Sequence, residues 1–231
     1  FVTTADRSLS AYDAQSGARL WNVPARQAEP LVLEAPGVLI AVNDTLVAGL
    51  SGRLTGYNPL NGAVRWEVPL ATARGVNDIE RLVDLVAKVG RLGDTVCARA
   101  FQSAVGCIDA NRGTPRWSRS ASGTVGVDAD PDRVYGAEGN GVVRAWRTDN
   151  GDPLWSTERL LNRGLTAPLA AGRSIVLGDA MGYLHLLARE DGSVLNRLST
   201  DGSAIVTAPA LSGSTLLALT RNGGVYAWRP E

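Results

Sequence analysis

The chain has 231 residues, of which 45% are hydrophobic and 20% charged, enough apolar material for a substantial buried core. Lysine plus arginine and aspartate plus glutamate both number 23, so there is no net positive field to attract a nucleic-acid backbone. The longest apolar stretches, such as Val38–Val42, fall far short of the roughly 20 residues a membrane helix needs. Phe1 is not an initiator methionine and opens inside an apparent strand. The expectation is therefore that the native N-terminus, with any targeting signal, lies outside these residues.

Taken in order, residues 1–25 read as three short strands: Phe1–Thr4, Leu9–Asp13 and Ala18–Val23. Four segments of four strands each follow, at about 37–68, 85–119, 125–156 and 167–199. In the last of these the strands are Ala167–Ala171, Ser174–Gly178, Tyr183–Ala188 and Ser193–Leu198, with Gly and Asp turns between them. Residues 208–231 supply three more: Ala208–Leu211, Thr215–Leu219 and Val225–Arg229.

One phrase recurs at Leu9–Trp21, Leu54–Trp66, Val105–Trp117 and Val143–Trp155. Gly17, Gly62, Gly113 and Gly151 each stand four residues before its tryptophan. A fifth copy keeps Gly192 but has Asn196 where tryptophan is due, and a sixth, Val225–Trp228, stops before its glycine. The glycines recur about every 38 to 51 residues, the period of a β-propeller built from four-stranded antiparallel blades. Three-stranded segments at both ends do not fill a ring of four-stranded blades. The reading is all-β: an incomplete fragment of a larger propeller ring, whose last blade takes its fourth strand from the missing start of the chain and so avoids an open sheet edge.

The repeat explains itself structurally. Glycine suits a tight turn with positive φ, Asp13, Asn58 and Asp109 can hold turn amides, and tryptophan offers a flat surface between blades. His185 is the single histidine and lies mid-strand between Leu184 and Leu186, so it reads as a structural or surface residue rather than a catalytic one. Gly139-Asn140-Gly141 reads as a hairpin turn, not a phosphate loop, because no helix follows. Lys88 is the sole lysine. Cys97 and Cys107 fall on neighbouring strands about a turn near Gln102. Two readings stand: a cross-strand disulfide in an oxidising compartment, or two small buried residues, since Cys107 fills the slot of Ala11 and Ala145. No catalytic, cofactor or metal residue is assigned.

The phrase resembles the repeat of PQQ-type propellers, which include quinone-dependent dehydrogenases. Those place the quinone over adjacent cysteines beside a carboxylate-held calcium. Cys97 and Cys107 are not adjacent, so a quinone- or ligand-binding propeller, with oxidoreductase activity, is only the alternative. Unique stretches are similar to the BamB family, propeller lipoproteins of the bacterial outer-membrane β-barrel assembly machine. They are Val76–Asp84, Leu160–Pro168, Gly178-Asp179 with Gly182-Tyr183-Leu184, and Gly223–Tyr226. The resemblance implies an eight-bladed ring, in agreement with the strand count, and a non-enzymatic scaffold without a cofactor, lipid-anchored at the periplasmic face of the outer membrane. It would bind the periplasmic (POTRA) domains of BamA, and unfolded outer-membrane clients are further candidate partners. The family's partner-binding regions map onto Leu31 and Leu33, with Glu34 where a basic residue belongs, and onto Asp84, with Arg81 beside it and Val86 in place of a second aspartate. Residues 70–84 form the longest insertion, and loops on a rigid scaffold commonly carry binding. Against this, Leu31 and Leu33 can instead pack under the preceding loop, and Asp84 can serve a turn or cap.

Overall fold

A computed structural model describes residues 1–4, 6–25, 37–50, 52–71 and 84–229. Among them are twenty-two strands and no α-helix. The strands form six antiparallel sheets, each a simple meander in chain order. Blade 1 contains β1 (Val2–Thr3), β2 (Leu9–Tyr12) and β3 (Arg19–Val23). Blade 2 runs β4 (Val38–Val42), β5 (Thr45–Leu50), β6 (Arg53–Tyr57) and β7 (Val64–Pro69). In blade 3 they are β8 (Leu85–Leu92), β9 (Thr95–Ala100), β10 (Ala104–Asp109) and β11 (Thr114–Ser120). Blade 4 has β12 (Val127–Ala129), β13 (Arg133–Ala137), β14 (Val143–Arg147) and β15 (Pro153–Thr157). Blade 5 has β16 (Leu169–Ala171), β17 (Ser174–Gly178), β18 (Tyr183–Ala188) and β19 (Val194–Ser199). Blade 6 closes with β20 (Ala210–Ser212), β21 (Thr215–Leu219) and β22 (Val225–Trp228). The first strands β4, β8, β12 and β16 neighbour one another in turn, as propeller blades arranged about an axis require.

Some strands are shorter than the sequence pattern suggests. β16 starts at Leu169 and β20 at Ala210, because Pro168 and Pro209 have no N–H to give a ladder. In blade 5 the approach to the sheet is held instead by Thr166, whose N–H donates to the Gly178 carbonyl and whose hydroxyl accepts from Gly178 N–H.

The core lies between blades, not within them. Each of the five seams holds its own apolar cluster. Alternation along a strand therefore sends side chains to two different seams. On β9, Val96, Ala98 and Ala100 face blade 2 while Cys97 faces blade 4. On β17, Ile175 and Leu177 face blade 4 while Val176 faces blade 6. Both faces are dry, so β17 reads as an apolar run, Ile175-Val176-Leu177, and β9 does the same up to Arg99.

The recurring phrase is a clasp between blades. Trp21, Trp66, Trp117 and Trp155 lie against Gly62, Gly113, Gly151 and Gly192 of the following blade. A Cβ on Gly113 would stand 2.3 Å from Trp66 Cγ, and one on Gly151 2.4 Å from Trp117 Cε3. The glycine is thus required twice, by its positive φ and by the neighbouring indole. Three indoles also donate across the seam: Trp21 Nε1 to Pro59 O (2.9 Å), Trp117 Nε1 to Thr148 O (2.8 Å) and Trp155 Nε1 to Arg189 O (3.0 Å). A β-bulge one residue before each tryptophan turns the ring toward the seam and pushes the extra residue outward, which is why Leu20 is 65% exposed. Trp66 departs from the pattern. Its partner across the strand pair is Gly56, where the other repeats have Ala11, Cys107 and Ala145. The ring has moved over the space a side chain would fill, and its Nε1 is buried with no hydrogen-bond partner among the described residues.

Candidate functional site

The antiparallel meander gives the molecule two rims of different character. One carries the connections between blades together with the turns joining second to third strands. The other carries the remaining hairpin turns. On the first, connections and turns are stitched by backbone hydrogen bonds: Gln102 N to Gly123 O, Asn162 N to Asn140 O, Ala180 N to Arg163 O, and Arg221 N to Ala204 O. The connections containing Leu31, Leu33 and Arg81 leave and re-enter the described structure on this rim. Those three residues lie outside the described residues. Leu161, Met181 and Val206, all on the same rim, are 40%, 61% and 45% exposed.

Asp84 is described, just before β8. Its carboxylate is largely buried and accepts from Arg7 Nη2 at 2.9 Å on both oxygens, and its carbonyl accepts from Phe101 N–H at 2.8 Å. Arg7 sits in the turn between β1 and β2. The carboxylate therefore ties blade 1 to blade 3 along this rim. The family resemblance named Asp84 but gave no sign of Arg7. Nothing in the sequence marked Arg7; its φ of 65° in the hairpin turn is visible only in the structure.

Two further buried charges occupy the same rim. Asp179, fully buried, opens the turn between β17 and β18. Its Oδ1 accepts from Met181 and Tyr183 N–H, and its Oδ2 accepts from Arg163 Nη1 (2.9 Å) and His185 Nε2 (2.8 Å). Burial pushes its pKa up, but the hydrogen bonds from His185, Tyr183, Arg163 and Met181 together hold it below the ordinary carboxylate value. Leu160–Pro168 and Gly178–Leu184, two of the stretches that resemble the family, meet at this carboxylate. His185 is 3% exposed and spent on Asp179, so it is not presented to a substrate.

The second is Arg99, 0% exposed, 3.6 Å from Glu138 Oε2. Burial draws the guanidinium's pKa below its usual value, and Glu138 opposes that. Sequence reading missed this pair, though a signal existed. Arg99 fills a slot occupied by Gly49, Ala137 and Gly178 in other blades, as the cross-strand partners Leu54, Val105, Val143 and Leu184 show.

Near the axis, Lys88 Nζ donates to Asp128 Oδ2 (2.7 Å) and to Pro168 O (3.1 Å), joining blades 3, 4 and 5. On the opposite rim Tyr135 donates to Asp130 Oδ2 (2.6 Å), and burial first, then this contact, push its phenol well above its usual range. Cys97 and Cys107 face each other directly across β9 and β10 and are joined as a disulfide, inside the blade 3–blade 4 seam. That pair is packed away from the axis and offers no platform for a quinone. Among the described residues, no three His, Cys, Asp or Glu side chains come together as a metal set.

Comparison with known proteins follows the same lines. A family model described as outer membrane protein assembly factor BamB matches residues 1–157. The chain is 38% identical to the outer membrane protein assembly factor BamB of Burkholderia pseudomallei (strain K96243), covering 100% of this chain and 61% of that protein. It is 35% identical to the protein of the same name from Bordetella pertussis (strain Tohama I), covering 99% of this chain and 59% of the relative. The chain thus spans about three fifths of the length of these relatives. Among solved structures, BamB from Moraxella catarrhalis superposes with a TM-score of 0.90 at 26% identity, over 98% of this chain and 68% of that one. The computationally designed Ika8 protein, at 18% identity and a TM-score of 0.72, shares the fold alone.

Proposed function

We propose, since the chain belongs to the family of the outer membrane protein assembly factor BamB, that it is a non-enzymatic scaffold of the outer-membrane β-barrel assembly machinery. It works lipid-anchored at the periplasmic face of the outer membrane. It docks on the periplasmic domains of BamA through Leu31, Leu33, Arg81 and Asp84. The observation that carries the reading is the likeness to a solved BamB over nearly the whole chain. The connection-bearing rim supports it: exposed Leu161, Met181 and Val206 stand on a frame of stitched turns and buried ion pairs, the combination of rigid support and exposed apolar groups that docking surfaces use. Among the described residues on this rim, Asp84 is engaged by Arg7, and Asp179 by Arg163 and His185.

The test is calorimetric binding of the protein to its BamA periplasmic domains. The double variant Leu31→Ala/Leu33→Ala is expected to weaken binding by about tenfold, roughly 1.4 kcal/mol. Asp84→Ala also breaks the pair with Arg7, so its thermal unfolding is measured alongside. Saturable binding that these variants leave unchanged would displace the site, and no binding at all would remove the scaffold reading.

A further inference from the structure

The seam between blades 3 and 4 opens on the connection-bearing rim into a cleft of about 400 Å3, within the range of small ligand sites. Gln102, Ser103, Ser120, Ser122, Glu138 and Arg144 line it. Its floor is unusual. Arg99 is wholly buried behind it, in a slot where blades 2, 4 and 5 have Gly or Ala. Blade 4 and its entry connection make room with two glycines: a Cβ on Gly123 would stand 1.6 Å from Arg99 Nη1, and one on Gly136 2.3 Å from Nη2. Neither glycine has a positive φ, so close approach, not backbone freedom, is their use. Burying a guanidinium costs several kcal/mol unless it is well paired. Here none of its nitrogens makes a hydrogen bond among the described residues, and its compensation is the Glu138 carboxylate at 3.6 Å.

What this arrangement achieves is a carboxylate held still at the mouth of a cleft. Glu138 Oε2 is fully engaged, accepting from Ser122 N–H (2.5 Å) and Ser122 Oγ (2.9 Å). Oε1 is buried and accepts nothing among the described residues, its nearest cation being Arg144 Nε at 3.8 Å. Buried acceptors are rarely left so. Two guanidiniums face one carboxylate, giving the site an excess of one positive charge, and the Arg144 side chain is 47% exposed at the entrance. Serine hydroxyls and the Gln102 amide add neutral hydrogen-bonding groups. A simple anion would meet Glu138 and be repelled, while a simple cation would meet two arginines. The chemistry that satisfies both is a main-chain amide followed by an acidic side chain.

We propose that this cleft binds an extended acidic peptide segment of a partner protein, with a main-chain N–H donating to Glu138 Oε1 and a carboxylate side chain paired with Arg144. The site goes beyond docking through Leu31, Leu33 and Arg81, and its occupant need not be BamA: a chain that fails to bind the assembly machinery can still bind the peptide, and the reverse. The experiment titrates the full chain with a short capped peptide of alternating glutamate and threonine, then with the same peptide carrying lysine for glutamate. Amide NMR shifts and fluorescence anisotropy are the readouts. The acidic peptide is expected to bind saturably, to move the amides of Gln102, Ser103 and Ser122, and to bind about tenfold more tightly than the lysine peptide. Arg144→Gln, at an exposed position, is expected to lose about tenfold in affinity with unchanged thermal unfolding. Glu138→Gln keeps the shape and serves as the second variant where it folds. No saturable binding, preference for the lysine peptide, or binding indifferent to Arg144→Gln would each overturn the proposal.

Discussion

The seam between blades 3 and 4 and the seam between blades 2 and 3 are built from the same sequence phrase and held differently. In the first, Trp117 is 7% exposed, covers Gly151 and donates to Thr148 O. A disulfide and the Arg99–Glu138 pair lie in the same seam. In the second, Trp66 covers Gly113 but makes no hydrogen bond among the described residues, and the seam is held by aliphatic packing among Val38, Val47, Leu54, Leu85 and Val96, with Ser118 Oγ donating to Leu70 O and Asn43 Nδ2 to Asp94 Oδ1. One residue accounts for the different placing of the indoles: Gly56 gives Trp66 a place to lie that Cys107 denies to Trp117. A repeat motif thus fixes where blades meet, and a single small-residue slot decides whether the indole makes a hydrogen bond across the seam.

The largest expected effect breaks a clasp outright. Gly151→Ala meets both a positive φ and the Trp117 ring at 2.4 Å. Gly17 has the same φ, 72°, with nothing within 4 Å of its added Cβ. Gly17→Ala should therefore cost about 1 kcal/mol for its backbone alone, and Gly151→Ala about 3 kcal/mol or more with the overpacking added. Urea unfolding of the two variants measures the difference. Equal losses would show that the ring yields freely and that the clasp is not a constraint.

Asp179 tests whether polar ties matter as much as clasps, at the joint between the connection entering blade 5 and the blade itself. Removing it leaves His185 and two turn amides without their acceptor, so Asp179→Ala should cost about 2 kcal/mol at neutral pH. The pH dependence has a definite sign. The folded-state pKa lies below the unfolded value of about 3.9, so its contribution is complete above that value and is lost as pH falls through the lower folded one. Wild type should lose part of its margin over the variant on acidification below about pH 4. A margin that stays constant down to strong acid would mean that Asp179 is not held below its ordinary value.

Much of this was legible in the sequence, and the reasons differ by residue. The phrase ending in Trp21, Trp66, Trp117 and Trp155 announced the blades because glycine and tryptophan do local work that repeats. The Cys97–Cys107 facing followed from counting about a turn, since the strand period is two. The double demand on Gly113 or Gly151 was not legible, because the second half comes from a neighbouring blade. Arg7 as the partner of Asp84 and Arg99 as the partner of Glu138 were missed for the same reason: both pairs cross blades, and their residues stand 77 and 39 positions apart. Arg99 was within reach, because aligning repeats on their cross-strand partners shows a cation in a slot that is Gly or Ala in blades 2, 4 and 5 and uncharged in the others. Leu31, Leu33 and Arg81 came from the family resemblance and remain a matter for the binding experiment.

A smaller effect separates the two indoles. Trp117→Phe removes a donor and leaves Thr148 O without it, at about 1 kcal/mol beyond the lost area. Trp66→Phe removes a buried N–H that has no acceptor among the described residues, so the polar contribution should be near zero or favourable. Comparable losses in the two variants would mean that Trp66 finds a partner in solution.

The smallest change asks whether the weaker seam can be converted. In the three complete clasps the acceptor stands three residues before the glycine, at Pro59, Thr148 and Arg189. The equivalent carbonyl for Trp66 is that of Ala110. Gly56→Ala puts a methyl group 2.2 Å from the present position of Trp66 Cε2, so the ring must move. Alanine is already tolerated at that slot beneath Trp21 and Trp155, through Ala11 and Ala145. The displaced indole is expected to settle as those do, with Nε1 donating to Ala110 O. The hydrogen bond gained and the repacking required oppose each other, leaving a net change under about 1 kcal/mol. A crystal structure of the variant decides it: an indole that moves but makes no bond to Ala110 would mean that Gly56 is not what sets the two seams apart.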